Sequence, residues 1–392
     1  MDTRIIRSLT EVDAAEWNAL PGAEAPFLRH EFLLALETSG CATPDTGWDA
    51  RHILVREPGG ALAGALPLYL KSHSWGEFVF DFAWAEAYQR AGLRYYPRLV
   101  SAVPFTPATG PRLLAAGDGP RAALVAAARA LAGSLGVSSL HVLFPQPDDR
   151  DTLEAHGLMP RLDCQFHWCN DGYGTFDDFL AGFTAEKRKK LRRERRRVRE
   201  SGIDCRTLTG ADLDDRLVDA IHGLHATTFA RHGHAPYLNR AFFAELARVM
   251  PGNLVVELAS LGGEPVACAI MLRGADTLYG RYWGASDDFH SLHFELCYYR
   301  GIDYCIREGL ARFEPGTQGE HKLLRGFLPT AVWSLHEIVD PRFAAAIGEW
   351  LARERDGRLE WLRAAATHLP FRRADIPARL DADVRYRLAP ED

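Results

Sequence analysis

The chain has 392 residues, of which 47% are hydrophobic and 25% charged, and its formal net charge is −6. This composition is typical of a globular protein and excludes a largely disordered chain, while the length exceeds that of one ordinary domain. The sequence contains no run of roughly 20 apolar residues that could span a membrane, and its first residues do not resemble a secretory signal. We therefore expect a soluble, cytoplasmic protein.

The first half of the chain predicts an α/β unit that begins with a hairpin. Residues 52–70 (HILVREPGGALAGALPLYL) place two apolar strands around the turn residues Gly59 and Gly60, which is a hairpin pattern. The later predicted elements of this half are strands near 78–82, 99–103 and 139–144 and a helix near 120–135.

The second half repeats this pattern. Residues 254–272 (LVVELASLGGEPVACAIML) again place two apolar strands around a Gly-Gly turn, at Gly262 and Gly263. Because helices and strands alternate after each hairpin, we expect mixed sheets with helices packed on them, in two copies of one α/β unit. The predicted units are residues 1–172 and 173–392. Later elements of the second half are strands at 277–283 and 311–314, a helix at 292–307 and one or two amphipathic helices within 341–366.

The seven cysteines predict neither a disulfide framework nor a metal site. Their number is odd and no Cys-x-x-Cys pair occurs, which is typical of a reducing compartment. Cys164, His167 and Cys169 lie close together in the sequence, but their spacing matches no standard zinc pattern. We therefore expect no bound metal.

A strongly basic helix is predicted at residues 184–200, near the start of the second unit. Residues 187–199 (KRKKLRRERRRVR) hold ten Lys or Arg and one Glu, a local charge of +9, so the rest of the chain carries −15. This uneven charge favours an anionic partner such as RNA; a face that is solvated or paired within the protein is the alternative. The residues expected to contact phosphates are Lys187, Arg188, Arg192, Arg193 and Arg196.

Glu295 is one candidate catalytic residue. It falls within the apolar stripe of the predicted helix 292–307. A carboxylate on a buried face must be paired, protonated or functional. Glu295 is therefore either a ligand or general base for a substrate amine, in which case it should line a cleft, or one half of a structural salt bridge with Arg281 or Arg325. Asp303, deeper in the same helix, is interpreted as structural.

A polar loop after the strand at 311–314 supplies the other candidates, because α/β sites usually lie where strands end in loops. His321 titrates near neutral pH and is a candidate base, and Lys322 or Arg325 is expected to hold a phosphate or carboxylate. A solvated loop is the alternative. The remaining predicted substrate-binding residues are Glu314 and Gln318 in this segment, with Arg281 and Trp283 on the preceding strand.

Aromatic and charged side chains also crowd residues 73–96. This stretch includes Trp75, Trp84, Tyr95 and Tyr96 together with several carboxylates. It predicts either the wall of a second pocket or a mixture of core and loop positions.

Four segments are long and specific enough to indicate a family: residues 26–33 (PFLRHEFL), 68–74 (LYLKSHS), 103–112 (VPFTPATGPR) and 313–322 (FEPGTQGEHK). They resemble a FemAB-like family of N-acyltransferases, also named for peptidoglycan biosynthesis or recognition, within the GNAT superfamily. The resemblance covers nearly the whole chain. It includes the basic helix with Gly202, the pair Phe294-Glu295, Gly309, the segment Glu314-Pro315-Gly316, and Lys322 with Arg325-Gly326-Phe327.

The resemblance implies a fold of two tandem GNAT-like α/β units and an N-acyltransferase activity. Fem-type relatives move an amino acid from aminoacyl-tRNA to a peptidoglycan precursor. The implied donor is therefore an aminoacyl-tRNA or an acyl-CoA, used as a co-substrate, with no permanently bound cofactor. The implied acceptor is an amine on a small molecule or a cell-wall precursor, and tRNA is an implied partner. The oligomeric state is left open.

Two alternatives to this activity follow from the same residues. The first is acetyl-CoA-dependent N-acetylation. The CoA-binding loop of that superfamily is matched only in part by residues 281–286 (RYWGAS), and Asp287 and Asp288 place negative charge where a phosphate would bind. The second alternative is a non-catalytic module that recognises a cell-wall precursor or RNA.

Overall fold

The computed structural model describes residues 1–231, 233–317, 319–372 and Ile376. Its strands are β1 (Asp2–Ile6), β2 (Trp48–Ala50), β3 (His52–Arg56), β4 (Leu62–Leu66), β5 (Tyr69–Lys71), β6 (Arg98–Ser101), β7 (Leu114–Ala115), β8 (Ser139–Leu143), β9 (Met159–Cys169), β10 (Ile203–Thr209), β11 (Leu254–Leu261), β12 (Glu264–Arg273), β13 (Thr277–Ala285), β14 (Arg312–Glu314) and β15 (Leu328–Ile338). Its α-helices are α1 (Ala14–Asn18), α2 (His30–Thr38), α3 (Phe82–Arg90), α4 (Asp118–Leu135), α5 (Pro147–Ala155), α6 (Phe176–Ala181), α7 (Ala185–Glu200), α8 (Asp215–Arg231), α9 (Arg240–Val249), α10 (Leu292–Phe294), α11 (Arg300–Arg307) and α12 (Pro341–Ala366).

The described residues form two compact units, and the first of them is discontinuous in sequence. It contains Met1–Asp163 and Val332–Arg358, and the second contains Cys164–Ala331 with the described residues from Leu359 onward. The predicted division at residues 172 and 173 differs from this one, because that interpretation took each unit as a continuous stretch. In the first unit β15 instead pairs antiparallel with β8, so a segment from late in the chain belongs with the early strands.

The strands of the first unit pair antiparallel except β6 with β8, which are parallel, and a helix packs against them. Its strands are ordered β1-β3-β4-β7 in one sheet and β15-β8-β6-β5-β2 in another group. β3 and β4 form the hairpin predicted around Gly59 and Gly60. The predicted helix at 120–135 is present as α4, and its buried side chains Leu124, Val125 and Leu131 join the core of this unit.

One predicted element of the first unit is wrong. No strand is present at residues 78–82, where the described chain forms a loop that leads into α3. Two left-handed backbone positions, Gly76 with φ 82° and Phe78 with φ 63°, interrupt any extended segment here. Asp81 is buried in an ion pair with Arg98, a tertiary contact that local sequence does not reveal.

The second unit carries the strand order β10-β11-β12-β13-β14-β9. All of these pairs are antiparallel except β13 with β14, which is parallel. β11 and β12 form the second predicted hairpin, joined at Gly262 and Gly263. Helix α8 packs on β13 at Gly284, where an added Cβ would lie 1.9 Å from the Leu224 carbonyl oxygen. Only glycine allows the helix and the strand to approach this closely.

The helix predicted at 292–307 is present, but it is interrupted. A π-helical turn, Glu295–Tyr299, separates α10 from α11. The basic helix is present as α7, whose Leu191, Glu194 and Val198 face inward. None of the described helices combines the length and apolarity needed to cross a membrane.

Candidate functional site

A narrow slot opens in the second unit between two neighbouring strands. β14 pairs with β13 as far as Tyr279 and ends at Glu314, whereas β13 continues to Ala285. Beyond Tyr279 the sheet edge of β13 therefore borders an opening instead of a strand. A cavity of about 90 Å³ lies there. It is lined by Ala269, Ile270 and Met271 of β12, Gly280, Arg281, Tyr282 and Trp283 of β13, and His293, Cys297, Tyr298 and Pro315.

A bulge and a glycine shape the wall of this slot. The register between β12 and β13 shifts opposite Arg281, because Met271 pairs with Gly280 and Ile270 with Tyr282. A bulge of this type re-aims the side chain of the extra residue, and Arg281 lines the cavity. At Gly280 an added Cβ would lie 3.1 Å from the Pro315 Cα, so glycine lets the segment after β14 approach β13.

The predicted base, His321, lies at the surface and is positioned by Tyr298. The Tyr298 hydroxyl and His321 Nε2 are 2.8 Å apart. Gly319 permits this placement, because a Cβ there would lie 2.3 Å from His321 Cε1 and its φ is 107°. Partial burial, with the nearby charges of Arg325 and Lys322, lowers the pKa of His321. The imidazole is therefore neutral at pH 7 and able to accept a proton.

Lys322 follows His321 in sequence but is buried, with 1% of its surface exposed. Its Nζ donates a hydrogen bond to the Gly316 carbonyl oxygen at 2.5 Å. Burial lowers the pKa of this ammonium to about 7, because a charged group loses its hydration there. Lys322 therefore titrates near neutral pH, so a bound anion can change the fraction that is protonated.

The two predicted anion-binding arginines have different environments. Arg281 lines the slot, and burial lowers its pKa, although an arginine stays charged at neutral pH. Arg325 is buried and donates to Glu194 at 3.1 Å, to the Tyr299 hydroxyl at 3.0 Å and to the His321 carbonyl oxygen at 2.9 Å. Each of the three guanidinium nitrogens of Arg325 therefore donates within the protein, and its role in holding a substrate anion stays a prediction.

The other predicted substrate-binding residues are only partly brought together. Trp283 lines the slot. Glu314 is buried, with its carboxylate 3.9 Å from His167 Nδ1 and 4.0 Å from Arg312 Nη1. Gln318 lies outside the described residues. The described residues contain no group of three or more His, Cys, Asp or Glu side chains placed to hold a metal ion.

Glu295 does not line the slot, contrary to the expectation for a catalytic residue. It is 6% exposed and accepts hydrogen bonds from Arg195 of α7 at 2.9 and 3.2 Å. Arg195 also donates to Asp303 at 2.6 Å. The alternative of a structural salt bridge is therefore the one observed, but the partner is Arg195 and neither of the two arginines named from the sequence.

The basic helix presents a cationic groove on its outer face. The groove has a volume of about 280 Å³ and is lined by Ala185, Arg188, Lys189, Arg192, Arg193 and Arg196. Some of this charge is neutralised locally: Arg192 pairs with Asp177 at 2.8 Å and Arg196 with Glu200 at 3.6 Å. Lys187 is half-buried on the same helix. The helix therefore binds the rest of its unit through Glu194 and Arg195 and exposes most of its remaining cations.

Several residues of the site were not singled out from the sequence. Tyr298 and Cys297 lie in the π-helical turn, His293 lies in α10 just before it, and all three line the slot. Turns of this type are frequent at functional sites. Burial lowers the pKa of His293 to about 4. The buried face of α7 was also missed, although the sequence contained a signal for it. Glu194 is the lone acid of the basic run and lies on the same helical face as Leu191 and Val198.

Comparisons with known structures establish the fold. FemX is similar with a TM-score of 0.53 at 13% identity, over 89% of this chain and 100% of FemX. L-PGS from Bacillus licheniformis has a TM-score of 0.52 at 10% identity, over 89% and 99%. A conserved protein of unknown function from Bacteroides thetaiotaomicron has a TM-score of 0.51 at 12% identity, over 86% and 99%. The predicted Fem-type α/β fold is confirmed.

Sequence comparison establishes the family. No curated protein matches the chain. The FemAB-like family, described as peptidoglycan biosynthesis/recognition, matches residues 8–373, which is nearly the whole chain and includes both compact units. The chain therefore belongs to the FemAB-like family.

Proposed function

We propose that this protein is an N-acyltransferase that moves an acyl or aminoacyl group from an activated donor to an amine. The observation that carries this proposal is the slot beside β13, which has Arg281 on its wall and the Tyr298–His321 pair at its side. A narrow slot that is lined by both apolar and polar side chains suits a small acyl group in a reactive position.

The residues provide a balanced transfer step. In the tautomer where His321 Nε2 donates to Tyr298, Nδ1 accepts the proton of the attacking amine. The amine nitrogen bonds to the acyl carbon, and the bond from that carbon to the ester oxygen or thioester sulfur breaks. The imidazolium then returns the proton to the leaving oxygen or sulfur. The products are an amide and the free hydroxyl or thiol.

Arg281 and Lys322 supply positive charge where the oxyanion develops or the donor is anchored. Arg281 lines the slot, and the charge of Lys322 is felt at the slot residue His293, whose pKa it helps to lower. With a pKa of about 7, Lys322 is only partly protonated at neutral pH. A bound anion raises such a pKa and fixes the charge when it is needed.

The charge distribution favours aminoacyl-tRNA over acyl-CoA as the donor. The cationic groove on α7 suits a phosphate backbone. In contrast, Asp287 and Asp288 are exposed after β13 and place negative charge just before the interrupted helix, where a pyrophosphate would bind. The family description supports a cell-wall precursor as the acceptor.

The proposal is tested by following label from donor to amide. The protein is incubated with bulk tRNA charged with ¹⁴C-amino acids, or with ¹⁴C-acetyl-CoA, and with a mixture of muropeptides bearing free amines. We expect label in an alkali-stable amide from the tRNA donor, and a much lower yield with His321→Gln. Label from acetyl-CoA alone would select the acetyltransferase alternative. Tight donor or acceptor binding without any amide product would contradict catalysis and favour a recognition module.

A further inference from the structure

The first unit contains a pocket that the proposed transfer step does not use. It has a volume of about 480 Å³ and opens beside α3. Its lining includes aromatic rings and hydrogen-bonding groups in similar measure: Ser74, Trp75, Phe82, Glu86, Gln89 and Tyr96. Pockets of this size with a few convergent polar groups are typical of small-molecule sites.

Exposed aromatic rings cluster at this pocket. Trp75, Phe80 and Phe82 are 53%, 60% and 40% exposed. Their rings lie side by side, with centroids 5.6 Å apart for Trp75 and Phe82 and 6.0 Å apart for Phe80 and Phe82. Grouped apolar surface on a folded protein usually marks a binding site.

The loop that carries these rings is fixed by buried contacts of Gly76 and Glu77. An added Cβ at Gly76 would lie 2.6 Å from Phe105 Cδ1, and the Phe105 amide donates to the Gly76 carbonyl oxygen at 3.1 Å. The next residue, Glu77, is buried and accepts a hydrogen bond from Arg98 at 2.6 Å. Phe78 adopts a left-handed backbone with φ 63°, a strained conformation that persists only where surrounding contacts impose it. The exposed rings are therefore presented on a rigid support, as binding requires.

The hydrogen bonds of Ser74 determine which polar groups in the pocket can still accept a hydrogen bond. Ser74 Oγ donates its one hydrogen to Asp81 Oδ1 at 2.6 Å and accepts from Arg98 Nη2 at 2.7 Å. The contact of 2.7 Å between Ser74 Oγ and the Tyr96 hydroxyl must then have Tyr96 as donor. The Tyr96 oxygen thus keeps acceptor capacity, and the carboxylate of Glu86 on the same wall is also an acceptor.

These features select the chemistry of the ligand. An occupant must stack an apolar face on Trp75 or Phe82 and donate hydrogen bonds to Tyr96 and Glu86. Phosphorylated or carboxylated ligands are disfavoured, because no Lys or Arg is among the described residues that line the pocket. The charge of Arg90 next to the pocket is paired with Glu86, 4.0 Å away. A pyranose ring has this combination of a C–H face and edge hydroxyl groups.

We propose that this pocket binds a neutral saccharide, with one pyranose ring stacked on Trp75 and its hydroxyl groups donating to Tyr96 and Glu86. The proposal concerns binding by the first unit alone and does not rest on the transfer activity proposed above, since no donor or acceptor amine takes part.

The test is a binding measurement on the full chain with neutral oligosaccharides. The probes are chitotriose, cellotriose and maltotriose, with glucose 6-phosphate as the anionic comparison, measured by saturation-transfer NMR and by tryptophan fluorescence. We expect at least one neutral trisaccharide to bind and to outcompete glucose 6-phosphate. Trp75→Ala should weaken that binding by about tenfold or more, and Tyr96→Phe by about fivefold.

Controls separate a local loss of binding from a loss of folding. Leu135→Ala removes an exposed apolar side chain elsewhere in the first unit, on α4, and should bind as the wild type does. The thermal midpoint of Trp75→Ala should match that of the wild type, since Trp75 is largely exposed. The proposal is overturned if no neutral saccharide binds the wild type at millimolar concentration, if Trp75→Ala binds equally well, or if the phosphorylated sugar binds more tightly.

Discussion

His321 and Lys322 are neighbours in sequence with opposite environments, and this contrast decides their chemistry. His321 lies at the surface against Tyr298, while Lys322 is buried and donates to the Gly316 carbonyl oxygen. Burial lowers the pKa of both, which keeps the imidazole neutral and brings the ammonium into the titrating range near pH 7. Each residue therefore yields its own prediction.

His321→Gln should lower kcat for acyl transfer by about 10²–10⁴-fold, because a positioned base contributes that much. The pKa of His321 lies below 6.5, so wild-type activity should rise with pH as the imidazole deprotonates, below pH 6.5. This acidic limb should vanish in the variant. Tyr298→Phe, which keeps the base but removes its hydrogen-bond partner, should retain the limb. An unchanged pH profile in His321→Gln would show that another group takes the proton.

Lys322→Met should change how stability depends on pH. The folded pKa is about 7 and the ordinary value is 10.5. Between these values the unfolded chain holds a proton that the folded chain lacks, so wild-type stability rises with pH by about 1.4 kcal/mol per unit. The variant lacks this rise, so its advantage over the wild type should be largest at and below pH 7 and should shrink towards pH 10.

The measurement is urea unfolding of the Lys322 variant from pH 6 to pH 10. Lys189→Met is the matched control, because Lys189 is exposed on α7 and its curve should run parallel to that of the wild type. A parallel curve for Lys322→Met as well would mean that Lys322 keeps an ordinary pKa in the folded protein.

Among the elements, α7 is fastened to the interrupted helix through two ion clusters. Arg195 binds Glu295 and Asp303, and Glu194 binds Arg325 and accepts a hydrogen bond from Tyr299. Glu295 and Tyr299 are the first and last residues of the π-helical turn, so each cluster contacts one end of that turn. The helix with the strongest surface charge is thereby coupled to the residues that line the slot.

Arg195→Met should destabilise the protein by about 2–4 kcal/mol, since it leaves Glu295 buried without its partner. The double substitution Arg195→Met with Glu295→Leu should recover much of this loss, because the buried unpaired carboxylate is then gone. Asp303, which also loses Arg195, is 34% exposed and can be hydrated. Arg193→Met, on the exposed face of the same helix, should change stability by less than about 0.5 kcal/mol. Urea unfolding measures all of these, and equal losses in the single and double variants would contradict a paired role.

The outer face of α7 should supply part of the contact to tRNA. Changing Arg192, Arg193, Arg196 and Arg197 to Glu should flatten the plot of log affinity against log salt concentration by about 0.9 for each lost phosphate contact, or about 0.7 on single strands. Stability should change little, since these side chains are exposed. The measurement is a salt titration of bulk tRNA binding.

The matched control for tRNA binding makes the same charge change at dispersed positions. Glu is substituted at Arg206, Arg216, Arg248 and Arg353, which are all exposed, and the salt slope should stay close to that of the wild type. Equal slopes in both variants would exclude α7 as the contact. A folded wild type that binds no tRNA at low salt would remove this donor and make acyl-CoA the leading one.

At the scale of the whole molecule, the first unit is completed by a distant segment of the chain. β15 pairs with β8, and Ile338, Ile347 and Leu351 pack with Trp84 and Tyr88 in a buried cluster. A fragment that ends at residue 172 therefore lacks both a strand and one side of a core.

Fragment 1–172 should lack a cooperative urea transition and show little near-ultraviolet circular dichroism, because its aromatic cluster is only half built. Residues 1–163 joined by a long flexible Gly/Ser linker to residues 332–358 should regain both properties. The first unit would be shown to fold without its late segment if fragment 1–172 unfolds cooperatively and the linked version is no more stable.

Local sequence patterns were sufficient to predict several of the helices and hairpins and to identify the family. The Gly-Gly hairpins, α4 and α7 follow from apolar periodicity, turn glycines and charge, which act within a few residues. The same is true of the FemAB-like motifs, which identified the family and with it the Fem-type fold. His321, Lys322, Arg281 and Trp283 were also named from the sequence, since polar residues at a strand end carry their own chemical signal.

Only the tertiary structure decided which charges are paired and which strands share a unit. Glu295 is bound by Arg195, one hundred residues earlier in the chain, and Arg325 by Glu194. The loop at 78–81 depends on the buried ion pair between Arg98 and Asp81, and the first unit depends on β15. These outcomes are set by contacts between segments far apart in sequence. Periodicity and composition carry no information about such contacts, so burial and pairing in the folded chain had to decide them.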